Sequence, residues 1–172
     1  IPNFLSHMSE NKNKAAAEGG QAAAVSEAPT TRKYLVPGYS VDMSGFYGGW
    51  GAAYATREVL VKDVMQSVKD RALVVLNAVV PREGLMFITR IDTDVAIELL
   101  KDAPLIKSFI GHEATAKLLS ELAGREVQFN RGIYQPKPGD VALVVRLRTR
   151  PSSDVKDVAP DDLEFSIVWY LE

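Results

Sequence analysis

A run of apolar residues from Leu73 to Val80 constrains the fold most, because a stretch so rich in β-branched side chains has to be buried. The run ends at Pro81 and predicts a buried β-strand. Asn77 interrupts it, and a polar side chain in a buried strand needs a hydrogen-bonding partner in the protein or in a ligand. The run therefore predicts both a sheet and a candidate binding residue.

A helix with a candidate catalytic residue at its start is predicted over the segment that ends at Gly124. Its apolar face follows positions i, i+3, i+4 and i+7, which are Thr115, Leu118, Leu119 and Leu122. Gly124 follows the last of them, as is typical of the glycine that ends a helix. His112 is expected in the first turn, near unpaired backbone N–H groups that can hold a phosphate. The other histidine, His7, lies in a segment interpreted as a tag remnant, so any imidazole chemistry is assigned to His112. The alternative is that His112 is a surface or capping histidine.

The remaining elements follow from the same patterns. The sequence predicts helices at Arg57–Asp70 and Asp94–Asp102, strands at Leu85–Ile91, Val141–Arg150 and Phe165–Leu171, and a helical turn at Asp161–Glu164. The compact unit is expected to begin at Ala72.

Composition limits the function classes. The chain has 172 residues, 47% hydrophobic and 24% charged, which suits one soluble domain with an appendage. It has no cysteine, which excludes disulfides, thiolate zinc sites and a cysteine nucleophile. No apolar run approaches 18 residues, so no membrane partner is expected; nothing marks secretion, and a cytoplasmic location is expected. The net charge of −2 argues against a generally basic nucleic-acid binder, and stable duplex DNA binding is not expected.

The N-terminal part divides into three segments. Residues 1–7 are interpreted as a tag remnant, and residues 8–33 have too few large apolar side chains to fold. Residues 34–71 form a Gly- and aromatic-rich extension with a helix. Its aromatic residues could stack on bases or a partner, or could pin a surface arm to the core. Residues 72–172 form the main domain.

A stripe of arginines marks one face of the predicted strand Val141–Arg150. With a period of two, Arg146, Arg148 and Arg150 share a face. From residue 72 to residue 172 there are 12 Lys and Arg against 15 Asp and Glu, so the stripe stands out against an acidic background. Guanidinium groups suit phosphate oxygens, and the alternative is a solvated outer face of the sheet.

Four motifs, taken together, resemble the viral type III anti-CRISPR ring nucleases. They are Leu76-Asn77-Ala78, Ile110-Gly111-His112-Glu113-Ala114-Thr115-Ala116, Asn130-Arg131, and Gly139-Asp140 before the strand that ends at Arg150. The resemblance covers about residues 72–172. It implies a small single-domain α/β fold with a mixed β-sheet flanked by helices, acting as a homodimer with its ligand in the dimer cleft.

The resemblance also implies a reaction. The substrate would be cyclic tetra-adenylate, the second messenger of type III CRISPR complexes, cleaved without a metal or other cofactor. A ribose 2′-hydroxyl would attack the neighbouring phosphate, and His112 would protonate the departing 5′-oxygen. The matching ligand-binding positions are Asn77, Gly111, Arg131 and Arg150, with Arg146 added from the arginine stripe.

One departure from the family keeps alternatives open. Family members often carry an acidic residue shortly after the arginine that ends the strand, whereas this chain has Ser153 at that place and Asp154 one residue later. The runner-up interpretation is therefore a sensor or sponge that binds a cyclic oligonucleotide without cutting it. A DNA- or RNA-binding regulator is a third interpretation, and it would show a steep salt dependence.

Overall fold

The computed structural model describes residues 32–38, 52–148 and 158–171. Its elements in chain order are β1 (Tyr34–Pro37), β2 (Ala52–Ala55), α1 (Arg57–Ser67), β3 (Leu73–Leu76), β4 (Met86–Ile91), α2 (Thr93–Asp102), β5 (Ile106–Phe109), α3 (Glu113–Ala123), β6 (Val141–Leu147), a 3₁₀ turn (Pro160–Asp162) and β7 (Leu163–Tyr170). The segments predicted as a tag remnant and, up to residue 31, as a disordered tail lie outside the described residues.

The central structure is a mixed five-stranded sheet with strand order β4-β7-β6-β3-β5. β3 pairs in parallel with both β5 and β6, whereas β7 runs antiparallel to β6 and β4. Parallel neighbours need a crossover connection, and the chain between β5 and β6 includes α3. The sheet is flanked by the three helices, so the α/β fold class with a mixed sheet is confirmed.

The two faces of the sheet are covered differently. One face packs with the helices in the main core, which includes Leu60 of α1, Leu99 of α2 and Leu119 of α3. The other face is covered by loop residues, and Tyr134 and the half-buried Val79 and Val80 pack there against residues of β3, β6 and β7. Burial on both faces explains why the β3 and β6 sequences read as continuous apolar runs.

The predicted strand over Leu73–Val80 is shorter in the structure, where β3 ends at Leu76. Asn77 follows the last strand residue, and its side-chain oxygen accepts a hydrogen bond from the Gly111 N–H, 3.3 Å away. Val79 and Val80 then cover the second face of the sheet. The apolar run therefore supplies a strand and part of the loop that shields it.

The other predicted elements agree within a few residues, and two features were missed. α3 covers Glu113–Ala123 and ends at Gly124, whose φ of +66° is the left-handed conformation that glycine adopts without strain. The sequence analysis missed strand β5 and the antiparallel pair of β1 and β2. β6 ends at Leu147 rather than Arg150, which lies outside the described residues.

The N-terminal extension is attached to the domain by polar contacts as well as by apolar packing. Tyr34 of β1 is buried, and its hydroxyl donates a 2.9 Å hydrogen bond to Asp92. Tyr54 of β2 is exposed, so only the first of these two tyrosines pins the extension to the core. Arg57, at the start of α1, forms ion pairs with Asp94 and Glu98 of α2. The remaining aromatic residues of the extension lie outside the described residues.

A buried carboxyl group joins α1 to the sheet. Asp63 is 5% exposed, and its Oδ2 accepts a hydrogen bond of 3.1 Å from the indole Nε1 of Trp169 on β7. Burial raises the pKa of Asp63 to about 7, and the Trp169 hydrogen bond acts in the opposite, weaker sense. α1 is therefore held to the domain partly through a group that titrates near neutrality.

Candidate functional site

The candidate site lies at one edge of the sheet, where parallel strands end. Leu76, the last residue of β3, pairs with Phe109 on β5 and with Val144 on β6. Because these strands run in the same direction, the residues that follow β3 and β5 emerge side by side. Ligands in open α/β sheets commonly bind at the carboxyl ends of parallel strands. Asn77 and the segment from Ile110 to His112 occupy this position.

Asn77 and Arg131 lie on either side of Gly111. The Asn77 Oδ1 accepts from the Gly111 N–H at 3.3 Å, and the Arg131 Nε donates to the Gly111 carbonyl at 3.4 Å. A Cβ added at Gly111 would lie 3.7 Å from the Arg131 Cγ and 4.0 Å from the Asn77 Oδ1. The structure thus brings together three of the sequence-predicted site residues, and two of them touch the backbone next to His112.

His112 is the N-cap of α3, one position before the first turn in which the sequence placed it. Its φ of −121° and ψ of 118° are extended, and its side chain makes no capping hydrogen bond. The side chain is exposed. The imidazole is therefore not used to complete the helix, and the first N–H groups of α3 point toward the same edge of the sheet.

Arg131 is exposed beside this helix start. Its guanidinium carbon lies 5.6 Å from the ring centroid of Phe129, which is within the range of a cation–π contact. The Gly111 carbonyl engages the Nε. A guanidinium group presents further N–H donors in a planar fork that fits phosphate oxygens.

Arg146 stands at the same edge of the sheet as this cluster, two residues beyond Val144, which pairs with Leu76. It lies on β6, two strands from β5, where it is exposed and pairs in register with Glu164 of β7. Within the described part of the chain it makes no hydrogen bond with Asn77, Gly111 or His112. Arg150, the second predicted ligand-binding arginine of the stripe, lies outside the described residues, as do Ser153 and Asp154.

The carboxylate of Glu164 offsets part of the positive charge of the arginine stripe. Glu164 lies 3.2 Å from the Nη2 of Arg90 and 4.0 Å from the Nε of Arg148. Since both pairs are substantially exposed, they contribute little to stability, but they reduce the repulsion that the sequence pattern implied.

The Gly139-Asp140 motif lies away from His112, before β6 and thus at the opposite edge of the sheet. The Asp140 carboxylate accepts from the Arg71 Nη1 at 2.9 Å and from the Tyr134 hydroxyl at 2.6 Å. Gly139 has a φ of +89°, and a Cβ there would lie 3.0 Å from the Arg71 guanidinium. This network borders a pocket of about 330 Å³, whose wall also includes Lys107. The motif therefore has a structural explanation.

Sequence reasoning missed the partner of Asn130. Ser108, buried on β5, accepts through its backbone carbonyl a 2.9 Å hydrogen bond from the Asn130 Nδ2. A small polar residue in a short strand carries no pattern that distinguishes it from any other serine, so only the fold identifies the pair.

Within residues 32–38, 52–148 and 158–171 no group of at least three His, Asp or Glu side chains is arranged to hold a metal ion. None of their helices combines the length and the apolar character that crossing a bilayer requires.

Comparison with known proteins gives a family match and matches to solved structures. The family model described as STIV B116-like matches residues 72–168. Among solved structures, B116 of Sulfolobus turreted icosahedral virus matches with a TM-score of 0.47 and 22% sequence identity, over 57% of this chain and 98% of that protein. No curated protein sequence matches significantly. The family match begins one position before β3, so α1 and the β1–β2 pair lie outside the matched residues.

Proposed function

The chain belongs to the STIV B116-like family, and from this premise we propose that it is a ring nuclease acting on cyclic tetra-adenylate. One observation carries the proposal. The exposed His112 imidazole, at the N-cap of α3 and without a capping hydrogen bond, stands next to a glycine whose backbone is hydrogen-bonded to an asparagine and an arginine. This arrangement offers a proton donor and anion-binding groups around one point, which are the requirements of phosphodiester cleavage by an internal hydroxyl.

The chemistry proceeds in one displacement. The ribose 2′-oxygen forms a bond to the neighbouring phosphorus and releases its proton to solvent, while the bond from phosphorus to the 5′-oxygen breaks. His112, as imidazolium, gives its proton to the departing 5′-oxygen. The products carry a 2′,3′-cyclic phosphate at one end and a 5′-hydroxyl at the other. No side-chain nucleophile is needed, in agreement with the absence of cysteine.

The groups that bind the phosphate also stabilise the transition state electrostatically. Arg131 and the first N–H groups of α3 stabilise the negative charge that grows on the phosphate oxygens. The Asn77 Oδ1 is occupied by Gly111, so the Asn77 side-chain N–H groups remain as donors to the ligand. We further propose a homodimer, in which two such sites face a ligand of matching twofold symmetry. From the sequence pattern and the resemblance we also propose Arg146 and Arg150 as ligand-binding residues.

The decisive experiment follows radiolabelled cyclic tetra-adenylate by chromatography after incubation with the protein in EDTA. We expect linear adenylates from the wild type. His112→Ala and His112→Asn should lose about 10²–10⁴-fold in rate, the usual contribution of a general acid. Asparagine is a good N-cap residue, so His112→Asn should keep α3 intact.

A matched control separates the imidazole from the helix that carries it. Lys117 is exposed on α3, and Lys117→Ala should cleave at the wild-type rate. Cleavage by His112→Asn at the wild-type rate would exclude the proposed role of the imidazole. If the wild type neither cleaves nor binds the ring, that result contradicts the proposed function.

A second candidate function is a non-catalytic sensor or sponge for the same ring. It is favoured by Ser153, which stands where family members often have an acidic residue. In the same experiment this function would appear as intact ligand bound to the wild-type protein.

A further inference from the structure

A buried hydroxyl ties β5 to the segment that carries Arg131. Ser108 is 7% exposed. Its Oγ donates to the Gln128 carbonyl at 2.5 Å and accepts from the Ile110 N–H at 3.2 Å. The hydroxyl therefore bridges the strand that leads to His112 and the chain that approaches Arg131.

Asn130 makes the matching contacts from the other side. Its Nδ2 donates to the Ser108 carbonyl at 2.9 Å, and its backbone N–H donates to the Ile110 carbonyl at 2.8 Å. Its Oδ1 accepts from the Gly132 N–H at 2.8 Å. A Cβ at Gly132 would lie 3.0 Å from this oxygen, so glycine permits the close approach. Both ends of the Asn130 amide are thus engaged.

Arg131 lies between Asn130 and Gly132, the two residues that these hydrogen bonds hold in place. The chain from residue 128 to residue 132 contains no helix and no strand, apart from a bridge that pairs Phe129 with Ile110. The side-chain hydrogen bonds of Ser108 and Asn130, together with the backbone bond from Asn130 to Ile110, therefore determine where this segment lies. They place the Arg131 guanidinium against the Gly111 carbonyl and over Phe129.

We infer that Ser108 and Asn130 form a clamp that positions Arg131 for an anionic ligand beside His112. Both are positioning residues, since their polar groups are bound within the protein and act through Arg131. The inference rests on the proposed function for the identity of the ligand. Its physical basis is preorganisation, because an arginine already held in place loses less conformational freedom when the ligand binds.

The test is a double-mutant cycle on the binding of cyclic tetra-adenylate, measured with the His112→Ala variant as background so that the ring stays intact. Asn130→Ala should weaken binding about ten- to hundredfold, the range for loss of a hydrogen bond to a charged group. In an Arg131→Ala background the same change should have an effect of less than about twofold, because the residue through which the clamp acts is gone. Ser108→Ala should behave like Asn130→Ala, and Ser108→Thr, which keeps the hydroxyl, should restore binding.

Ser120 provides the matched control. Its hydroxyl accepts from the Val127 N–H at 2.8 Å and donates to the Ala116 carbonyl at 2.8 Å, so it ties the start of the same segment to α3. Ser120→Ala should lower the unfolding midpoint but leave affinity for the ring unchanged. Equal losses of affinity in Ser120→Ala and Asn130→Ala would show a general loosening and would overturn the inference. So would an Asn130→Ala effect of equal size with and without Arg131.

A ligand-free readout separates this inference from the proposed function. In NMR spectra of the wild type, the Arg131 Nε–H should exchange slowly with solvent, because it is hydrogen-bonded to Gly111. Asn130→Ala should accelerate that exchange, whereas Ser120→Ala should not. If the wild type binds no ring, the proposed function fails, and the exchange measurement alone decides on the clamp. An unchanged exchange rate of the Arg131 Nε–H in Asn130→Ala would overturn the proposed clamp.

Discussion

Replacing Asp63 with asparagine should make the protein less sensitive to alkaline pH. In the folded protein Asp63 is buried between α1 and the sheet, with the Trp169 indole as its hydrogen-bond donor. Burial raises its pKa from 3.8 to about 7. Asparagine keeps a carbonyl oxygen for the indole N–H and removes the charge.

The sign and size of the effect follow from proton linkage. Between pH 4 and pH 7 the folded state holds the Asp63 proton more tightly than the unfolded state does, so this group's contribution to stability falls as pH rises and is lost above the folded-state pKa. Between pH 5 and pH 9 the free energy of unfolding of the wild type should fall by about 2–3 kcal/mol, a decrease that Asp63→Asn should not show. At pH 5 the wild-type carboxyl group is protonated and neutral, like the amide of the variant, so of the three pH values tested the two proteins should differ least in stability there.

The assay is denaturant unfolding of both proteins at pH 5, 7 and 9, followed by tryptophan fluorescence. Asp70→Asn is the matched control, since Asp70 is exposed just after α1 and its replacement changes the net charge equally. The control should follow the wild type at each pH. Parallel pH profiles for the wild type and Asp63→Asn would refute the reasoning, because the carboxyl group would then titrate alike in the folded and unfolded states.

Three further changes test local features of the fold by chemical denaturation. Gly124→Ala should cost about 1 kcal/mol, from backbone strain alone, because φ is +66° and a Cβ there would meet no atom within 4 Å. Tyr134→Phe should cost about 1–3 kcal/mol, since it leaves the Asp140 carboxylate without its 2.6 Å hydrogen bond. Arg57→Ala should cost about 1 kcal/mol by releasing α1 from the two carboxylates on α2, and the loss should shrink when salt is added. For each variant, a denaturation midpoint equal to that of the wild type would contradict the stabilising role given to the replaced residue.

The elements that the sequence predicted well are those whose signals are local. The α3 helix has its apolar period and its closing Gly124 within eleven residues, so its end was located and its start was placed within one residue. β5 lacks such a signal. It has four residues, two of them Lys107 and Ser108, and it is a strand because it pairs with β3 across more than thirty residues. A short edge strand of mixed polarity is visible only through its partner.

The end of β3 illustrates the same limit. The sequence required a hydrogen-bonding partner for Asn77 but could not name it, because the partner is a backbone N–H at Gly111. No sequence pattern indicates that Asp63 is buried, since a carboxylate between apolar helix positions is ordinary on an exposed face. Its burial depends on Trp169, which lies more than a hundred residues later.

The motifs that suggested a ring nuclease divide in the structure into two kinds. Gly139-Asp140 and Asn130 are explained by the fold, because their polar groups are bound within the protein. His112 and Arg131 are exposed. No hydrogen bond to the His112 side chain is needed for the cap of α3, and the guanidinium of Arg131 has donors to spare beyond Gly111. A chain that retained only the fold would not need these two side chains, so the functional proposal depends on them far more than on the number of matching motifs.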